Sequence, residues 1–194
     1  MIEFEKFFIP HIGKTGGDSI KAICKEMNLP IVNIKEDMKK GKHKPPKHLF
    51  GKKDAVLSIR KLPHREISKI NQLVQIDKTI TWEEVVNPAE WILKELQAER
   101  EIKNNTINGK LDVKFFIRSE FLLEDLELVL DYYFDLTQEQ KEKIYTIKTK
   151  DKLEYNRNVS DWFTPEQIKE LYRKSPTWKK YENLAYEKPI IKLF

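Results

Sequence analysis

Residues 7–24, FFIPHIGKTGGDSIKAIC, combine the residue types that bind a phosphate group. An apolar run is followed by a loop with glycines and then by apolar residues at helical spacing. In such a strand–loop–helix unit, backbone N–H groups and the positive end of the helix dipole surround one anion. Glycines let the backbone approach that anion closely, and a lysine adds a mobile positive charge. The candidate contacts in this loop are Lys14, Thr15, Gly16, Gly17, Asp18 and Ser19.

The loop differs from the Walker A loop of nucleoside triphosphatases, G-x-x-x-x-G-K-[ST]. Gly13-Lys14-Thr15 matches the end of that motif, but position 8 is Phe where the motif has its first glycine. The other two glycines follow the Lys-Thr pair instead of preceding it. A lysine-bearing turn that binds no ligand is the alternative interpretation.

A second candidate anion site lies in residues 58–68, SIRKLPHREIS. Arg60 ends the apolar run AVLSIR, which predicts a buried strand, and ligands bind at the carboxyl ends of strands in open parallel sheets. Ser68 falls one or two turns into the next helix, on a face that can point back toward Arg60. An arginine and a hydroxyl that converge there would bind an anion. The alternative is a surface arginine and an unrelated helix serine.

These motifs lie in a chain where short strands alternate with helices. The apolar patterns predict strands at 4–9, 30–34, 55–60 and 112–118. Helices are predicted over 18–27, 63–75 and 89–102, and again after Ser119, Thr137 and Thr164, the last two with capping boxes. The alternation predicts an α/β fold of three layers, α/β/α, with a short central parallel sheet covered on both faces and a helical C-terminal half. The length of 194 residues predicts a single domain, 1–194.

Composition restricts the classes of protein that remain. The net charge is +5, from 36 basic and 31 acidic residues, which favours anionic ligands without specifying nucleic acid. Cys24 is the only cysteine, so no internal disulfide forms, and we expect a reducing, cytoplasmic location. No apolar run reaches about 18 residues, and the N-terminus lacks the basic region of a signal peptide, so neither a membrane span nor a signal peptide is expected.

Together the two motifs resemble those of the sulfotransferases that use 3′-phosphoadenosine 5′-phosphosulfate (PAPS). IPHIGKTGGDSI is similar to the family's 5′-phosphosulfate loop, usually H-I-P-K-T-G-G-T-S, and VLSIRKLPHREIS to its 3′-phosphate signature, V-x-R-[DN]-P-x-x-R-x-x-S. FFIRSEFLLEDLELVL and RNVSDWFTPEQIKELY resemble later segments of the family. This chain departs from the pattern at Gly13 (usually Pro), Asp18 (usually Thr) and Lys61-Leu62 (usually Asp or Asn).

The resemblance implies a P-loop-like sulfotransferase fold and transfer of a sulfuryl group from PAPS to a hydroxyl, with a glycan as acceptor by similarity to the carbohydrate branch. Residues 14–19 would surround the 5′-phosphosulfate, Arg60 and Ser68 the 3′-phosphate, and Arg157 would add a contact from the C-terminal basic loop. Lys14 would stabilise charge on the bridging oxygen. No metal is implied, because lysines and amides supply the charge stabilisation that magnesium supplies in kinases. Neither nucleic acid nor a membrane is an expected partner.

The acceptor hydroxyl must lose a proton as it attacks, and histidine is suited to accept it. Many members of the family use a histidine between the two phosphate motifs, and here that interval holds His43 and His48, in GKHKPPKHLFG. His43 fits the family's position better and is the first candidate for the base. His11 is the next, although its position in the phosphate loop favours a role in shaping that loop. The alternative for His43 and His48 is that both are solvated residues of a lysine-rich loop.

Other functions remain open from the sequence. A nucleotide kinase or nucleotidase with a degenerate phosphate loop would need magnesium and an aspartate at a strand end, where this chain has Arg60 and Ser119-Glu120. A non-catalytic module for acidic polymers could use the eight lysines of residues 35–53. Only Phe50 is aromatic in that segment, which disfavours a nucleic-acid surface of interleaved lysines and aromatics. An inactive relative that still binds the donor is a further alternative.

Overall fold

The computed structural model describes residues 1–34, 47–106, 110–149 and 154–187. They form an α/β fold with one mixed sheet of five strands and eight α-helices within these ranges. The strands are β1 (Ile2–Glu3), β2 (Phe7–Ile9), β3 (Asn33–Ile34), β4 (Asp54–Ile59) and β5 (Val113–Arg118). The helices are α1 (Gly17–Glu26), α2 (Leu62–Gln75), α3 (Pro88–Lys94), α4 (Ala98–Asn105), α5 (Leu122–Phe134), α6 (Gln138–Thr146), α7 (Pro165–Lys174) and α8 (Pro176–Glu187).

The sheet has the strand order β3-β1-β2-β4-β5. β2, β4 and β5 are parallel, which confirms the predicted parallel centre, whereas β1 is antiparallel to both of its neighbours. The prediction of one strand over residues 4–9 is wrong, because Glu5 and Lys6 are exposed and lie in a turn between β1 and β2. A hydrogen bond from Phe4 N to Phe7 O, 2.9 Å long, closes that turn. The sheet is therefore mixed at this edge.

Helices cover both faces of the sheet, as predicted. Successive residues of a strand point to opposite faces, so Val56 and Leu57 of β4 belong to different hydrophobic cores. Buried residues of α1, α5 and α6 pack with Val56 on one face. Those of α2, α3, α4, α7 and α8 pack with Leu57 on the other.

Most predicted helix starts agree with the structure, with two differences. Both capping boxes, Thr137 with Gln140 and Thr164 with Gln167, are present. The single helix predicted over 89–102 is wrong, since α3 and α4 are separate helices, and α3 packs on α7 whereas α4 packs on α8. Ser119 does not cap α5, which begins at Leu122 after a 3-10 turn, and its hydroxyl instead donates to the Ile59 carbonyl at 3.1 Å.

None of the helices in the described part of the chain has the length and apolar character needed to cross a membrane.

Candidate functional site

The carboxyl ends of the adjacent parallel strands β2 and β4 lie side by side, and the region between them, bordered by the loop 10–16 and the start of α2, is called the crevice below. These adjacent parallel strands are followed by helices on opposite faces, since α1 packs in the core that contains Val56 and α2 in the core that contains Leu57. Where neighbouring connections leave in opposite directions, the ends of the strands are left uncovered, and open α/β sheets bind ligands at this point. The loop 10–16 and Arg60 lie on the two sides of this crevice.

The loop after β2 leads into α1 with an N-terminus suited to an anion. Gly16 is the N-cap residue, has a φ of 87°, and provides no side-chain cap. The first backbone N–H groups of a helix have no partner within the helix, so those of α1, which starts at Gly17, are directed at the loop. The His11 ring packs against Gly17, where an added Cβ would lie 2.9 Å from Nδ1. This contact agrees with the interpretation that His11 shapes the loop.

The side chain of Thr15 points into the protein. It is completely buried, and its hydroxyl donates to the Ile12 carbonyl at 3.0 Å. Because that bond uses the Thr15 proton, Ser58 of β4 must donate the 2.8 Å hydrogen bond that joins the two hydroxyls. Thr15 therefore ties the loop to β4, and its contribution to an anion site is limited to its backbone.

Lys14 adopts a φ of 68°, and its Nζ donates to Gln72 Oε1 of α2 at 2.8 Å. This bond brings the amino group from the loop to the side of the crevice that α2 forms. Burial lowers the pKa of Lys14 below its usual range, the charges of Tyr155 and Asp18 act in the opposite direction, and the nearby positive charge of Arg60 lowers it further. A bound anion would relieve both unfavourable effects on the ammonium group.

Arg60 and Ser68 both act on the Tyr155 hydroxyl. Ser68 is buried and Arg60 half-buried, and side-chain hydrogen bonding from each lowers the pKa of Tyr155. The Nε of Arg60 is buried and has no hydrogen-bond partner among the described residues. The pairing of Arg60 with Ser68 in one anion site stays a prediction, and Tyr155 is the residue on which both act.

Tyr155 lies among positive charges. Burial raises its pKa, but the hydrogen bond with Ser68 and the charges of Arg60 and Arg157 outweigh burial, so that the pKa of Tyr155 lies below its usual range. The guanidinium carbon of Arg157 is 5.1 Å from the centre of the Tyr155 ring. The exposed Arg157, predicted only by resemblance, therefore lies at the edge of the same cluster. A surplus of positive charge in a crevice favours a multiply charged anion.

Asp18 and Ser19 lie in the first turn of α1, and both are partly exposed. The Asp18 carboxylate pairs with Lys21 one turn along the helix, with Oδ1 3.5 Å from Nζ. That pairing compensates part of its charge and limits its repulsion of an anion at the helix N-terminus.

The histidines predicted as bases lie in two different situations. His43 falls outside the described residues. His48 is exposed in a 3-10 turn, Lys47–Leu49, that leads to the amino-terminal end of β4. His48 and Arg60 therefore lie at opposite ends of β4. His64, in the first turn of α2, is closer to Arg60, and burial lowers its pKa below its usual range, with Arg60 adding to this effect.

Two residues of this cluster, Gln72 and Tyr155, were not predicted from the sequence. Gln72 lies one helical turn beyond Ser68 on α2, so a periodic reading from Ser68 could have identified it. Tyr155 comes from a segment 95 residues after Arg60, and no spacing rule connects the two. Their role in the cluster is visible only once the chain is folded.

Replacing Gly16 with alanine tests how tightly the loop is packed. A left-handed conformation costs an alanine roughly 1–2 kcal/mol, and the new Cβ would lie 2.3 Å from Leu122 Cδ1. We expect Gly16→Ala to lower the free energy of unfolding by about 2–4 kcal/mol in urea titrations.

Gly51→Ala is the matched control, because Gly51 has a φ of 74° but nothing within 4 Å of an added Cβ. It should lose only the conformational part, about 1–2 kcal/mol. Equal losses in the two variants would show that Leu122 moves aside without cost.

Two clefts among the described residues lie away from this cluster. One, of about 410 Å³, is lined by Phe7, Tyr133 and neighbours, and the other, of about 310 Å³, by Met27, Lys143 and residues near the start of α6. Neither is lined by a residue of the predicted anion site. The candidate site is a polar loop and crevice rather than an apolar cavity.

In comparisons with known proteins, no family model, curated protein or solved structure matches this chain.

Proposed function

We propose that this protein is a PAPS-dependent sulfotransferase with a P-loop-like fold, which transfers the sulfuryl group to a hydroxyl of an acceptor, a glycan in our proposal. The observation that supports the proposal is the electrostatic link between the two predicted anion-binding motifs. The charges of Tyr155 and Arg60 act on the pKa of Lys14, and hydrogen bonding from Ser68 lowers the pKa of Tyr155. A ligand with two separated phosphate groups matches this arrangement better than a ligand with one.

Different residues would bind the two charged groups of the donor. The N-terminus of α1 would hold the 5′-phosphosulfate, with the Lys14 ammonium group at the bridging oxygen that gains charge as the sulfuryl group leaves. Arg60, Ser68 and the Tyr155 hydroxyl would hold the 3′-phosphate through charge-assisted hydrogen bonds. The proton of the acceptor hydroxyl would go to His43, because His48, the second candidate, lies before the amino-terminal end of β4, at the other end of that strand from Arg60.

The donor product 3′-phosphoadenosine 5′-phosphate (PAP) should raise the melting temperature of the protein more than AMP or ATP with magnesium does. A ligand that binds only the folded state stabilises it by mass action, by an amount that increases with the logarithm of its affinity at a given concentration. PAP offers a phosphate to each motif. AMP lacks the 3′-phosphate, and the additional phosphates of ATP are attached at the 5′ position, where they cannot reach Arg60 and Ser68.

The measurement is a thermal-shift titration of the three nucleotides at equal concentrations and ionic strength. Equal shifts for PAP and AMP would remove the 3′-phosphate assignment. A larger shift for ATP with magnesium would favour the kinase alternative.

A further inference from the structure

Arg65, on α2, is completely buried, and each of its guanidinium nitrogens has a partner. Nη1 donates to the carboxylate of Glu66, and Nη2 to that of Glu101 on α4. Nε donates to the carbonyl of Gly13, at 3.2 Å. Burial of a guanidinium is tolerated when its charge is compensated, and the two carboxylates already do that. The contact with Gly13, a neutral carbonyl in the anion-binding loop, therefore has a role other than charge balance.

The carbonyl of Gly13 and the N–H of Lys14 belong to the same peptide group. In a trans peptide these two groups point in opposite directions, and none of the described peptide bonds is cis. The hydrogen bond from Arg65 therefore turns the Lys14 N–H away from the buried core of α2. Lys14 has a φ of 68°, which a residue other than glycine adopts only when its surroundings hold it there.

Arg65 also connects this peptide to the end of β4. Its guanidinium carbon lies 5.0 Å from the centre of the buried Trp178 ring, on α8. Trp178 Nε1 in turn donates to the carbonyl of Arg60, at 3.1 Å. One packed pair of side chains thus contacts the backbone on both sides of the crevice.

We propose that Arg65 is a positioning residue, which holds the Gly13–Lys14 peptide and, through Trp178, the end of β4 in the orientation that lets Lys14 and Arg60 bind one ligand. The identity of that ligand rests on the proposed function. Lysine is a poor substitute at this position, because a single nitrogen cannot reproduce the planar fork that reaches three partners at once.

The test compares Arg65→Lys with Arg118→Lys by isothermal titration calorimetry, well below the melting temperature of both variants. Arg118 is a matched control, because its guanidinium makes a two-point contact with Asp125, at 2.7 and 2.8 Å, within the β5–α5 connection, and these hydrogen bonds involve no residue of the loop 10–16. We expect Arg65→Lys to weaken the binding of PAP and of AMP about tenfold each, since both need the loop. Arg118→Lys should lower the melting temperature and leave both affinities nearly unchanged. Equal weakening by the two variants would show that Arg65 is merely structural.

A second measurement needs no ligand. Hydrogen exchange of residues 10–19 in the free protein should accelerate in Arg65→Lys, without comparable acceleration in α5, and should not accelerate in Arg118→Lys. Unchanged exchange in the loop would overturn the inference. If Arg65→Lys does not fold, Glu101→Gln takes its place, because Glu101 is the partly exposed partner of Arg65. Exchange of residues 10–19 should accelerate in Glu101→Gln as well, by a smaller factor.

The two proposals fail in different ways. If the wild-type protein binds neither nucleotide while exchange in the loop accelerates in Arg65→Lys, the proposed function is wrong and the role of Arg65 stands. If the wild-type protein prefers PAP and Arg65→Lys binds it equally well, the role of Arg65 is wrong and the function stands.

Discussion

Replacing Lys14 with alanine should lower the rate of sulfuryl transfer by a factor of about 100 or more, the usual effect of removing one preorganised group from a reacting centre. Its melting temperature should stay near that of the wild type. The side chain is half-buried in a loop, and the loss of its hydrogen bond to Gln72 is offset by the removal of a charge that burial disfavours. The measurements are single-turnover transfer with labelled PAPS and a melting curve.

Lys141→Ala is the control. Like Lys14, Lys141 is partly buried and bonded, in its case to the Asp131 carboxylate at 2.8 Å. This variant should leave the rate unchanged. A loss below about tenfold in Lys14→Ala, or a large fall in its melting temperature, would indicate a structural lysine instead of one that acts on the transition state.

The properties of Lys14 also predict how sulfuryl transfer depends on pH. Burial lowers the pKa of Lys14 in the free protein, and its protonated form is the active one, so kcat/KM for PAPS, which reports the free enzyme, should fall as pH rises through that pKa, at a lower pH than for an exposed lysine. Lys14→Arg keeps its positive charge over the accessible pH range and should lack this fall. Tyr155 also titrates below its usual range, so Tyr155→Phe serves to separate the two groups. An alkaline fall that persists in Lys14→Arg but is absent in Tyr155→Phe would assign it to the tyrosine.

The elements that position the loop were predictable because their signals are local. The glycines after Lys14 mark the start of α1, and the apolar runs before Lys14 and Arg60 mark parallel strands. The β1–β2 turn was missed, since strands of two and three residues show no periodicity that separates them from one longer strand. The break between α3 and α4 was missed because the two helices pack on different partners, a tertiary effect that overrides a continuous apolar pattern.

The site itself was predictable to the extent that it follows from those elements. Arg60 and Ser68 belong to one strand and the helix that follows it, so their spacing suggested a common neighbour, here Tyr155, while their binding of an anion stays a prediction. Thr15 has the residue type of a ligand contact, but its hydroxyl is used by Ile12 and Ser58, and only the packing of the loop on β4 determines that. Tyr155 depends on contacts with distant segments, which no local pattern encodes.

Replacing Arg60 with alanine should weaken the binding of PAP by a factor of about 10 to 150, which corresponds to roughly 1.5–3 kcal/mol for a lost charge-assisted contact. The binding of AMP should change little, because AMP lacks the 3′-phosphate that Arg60 is proposed to hold. The fold should tolerate the change, since the hydrogen bond from Trp178 uses the backbone carbonyl of residue 60 and survives in the variant. Calorimetric titration of each nucleotide gives the two affinities.

Lys61→Ala removes the same charge one residue later and is the matched control. Lys61 is exposed, and its Nζ lies 5.3 Å from the ring centre of Tyr186, on α8, so its side chain lies outside the cluster of Arg60, Ser68 and Tyr155. The affinity of Lys61→Ala for PAP should stay near that of the wild type. This result would show that Arg60 acts through a specific contact and not only through the general positive charge of the region. Equal losses for PAP and AMP in Arg60→Ala would move Arg60 to the 5′-phosphate, because both nucleotides carry that group. Full retention of PAP affinity would place Arg60 outside the donor site and leave the N-terminus of α1 as a site for a single anion.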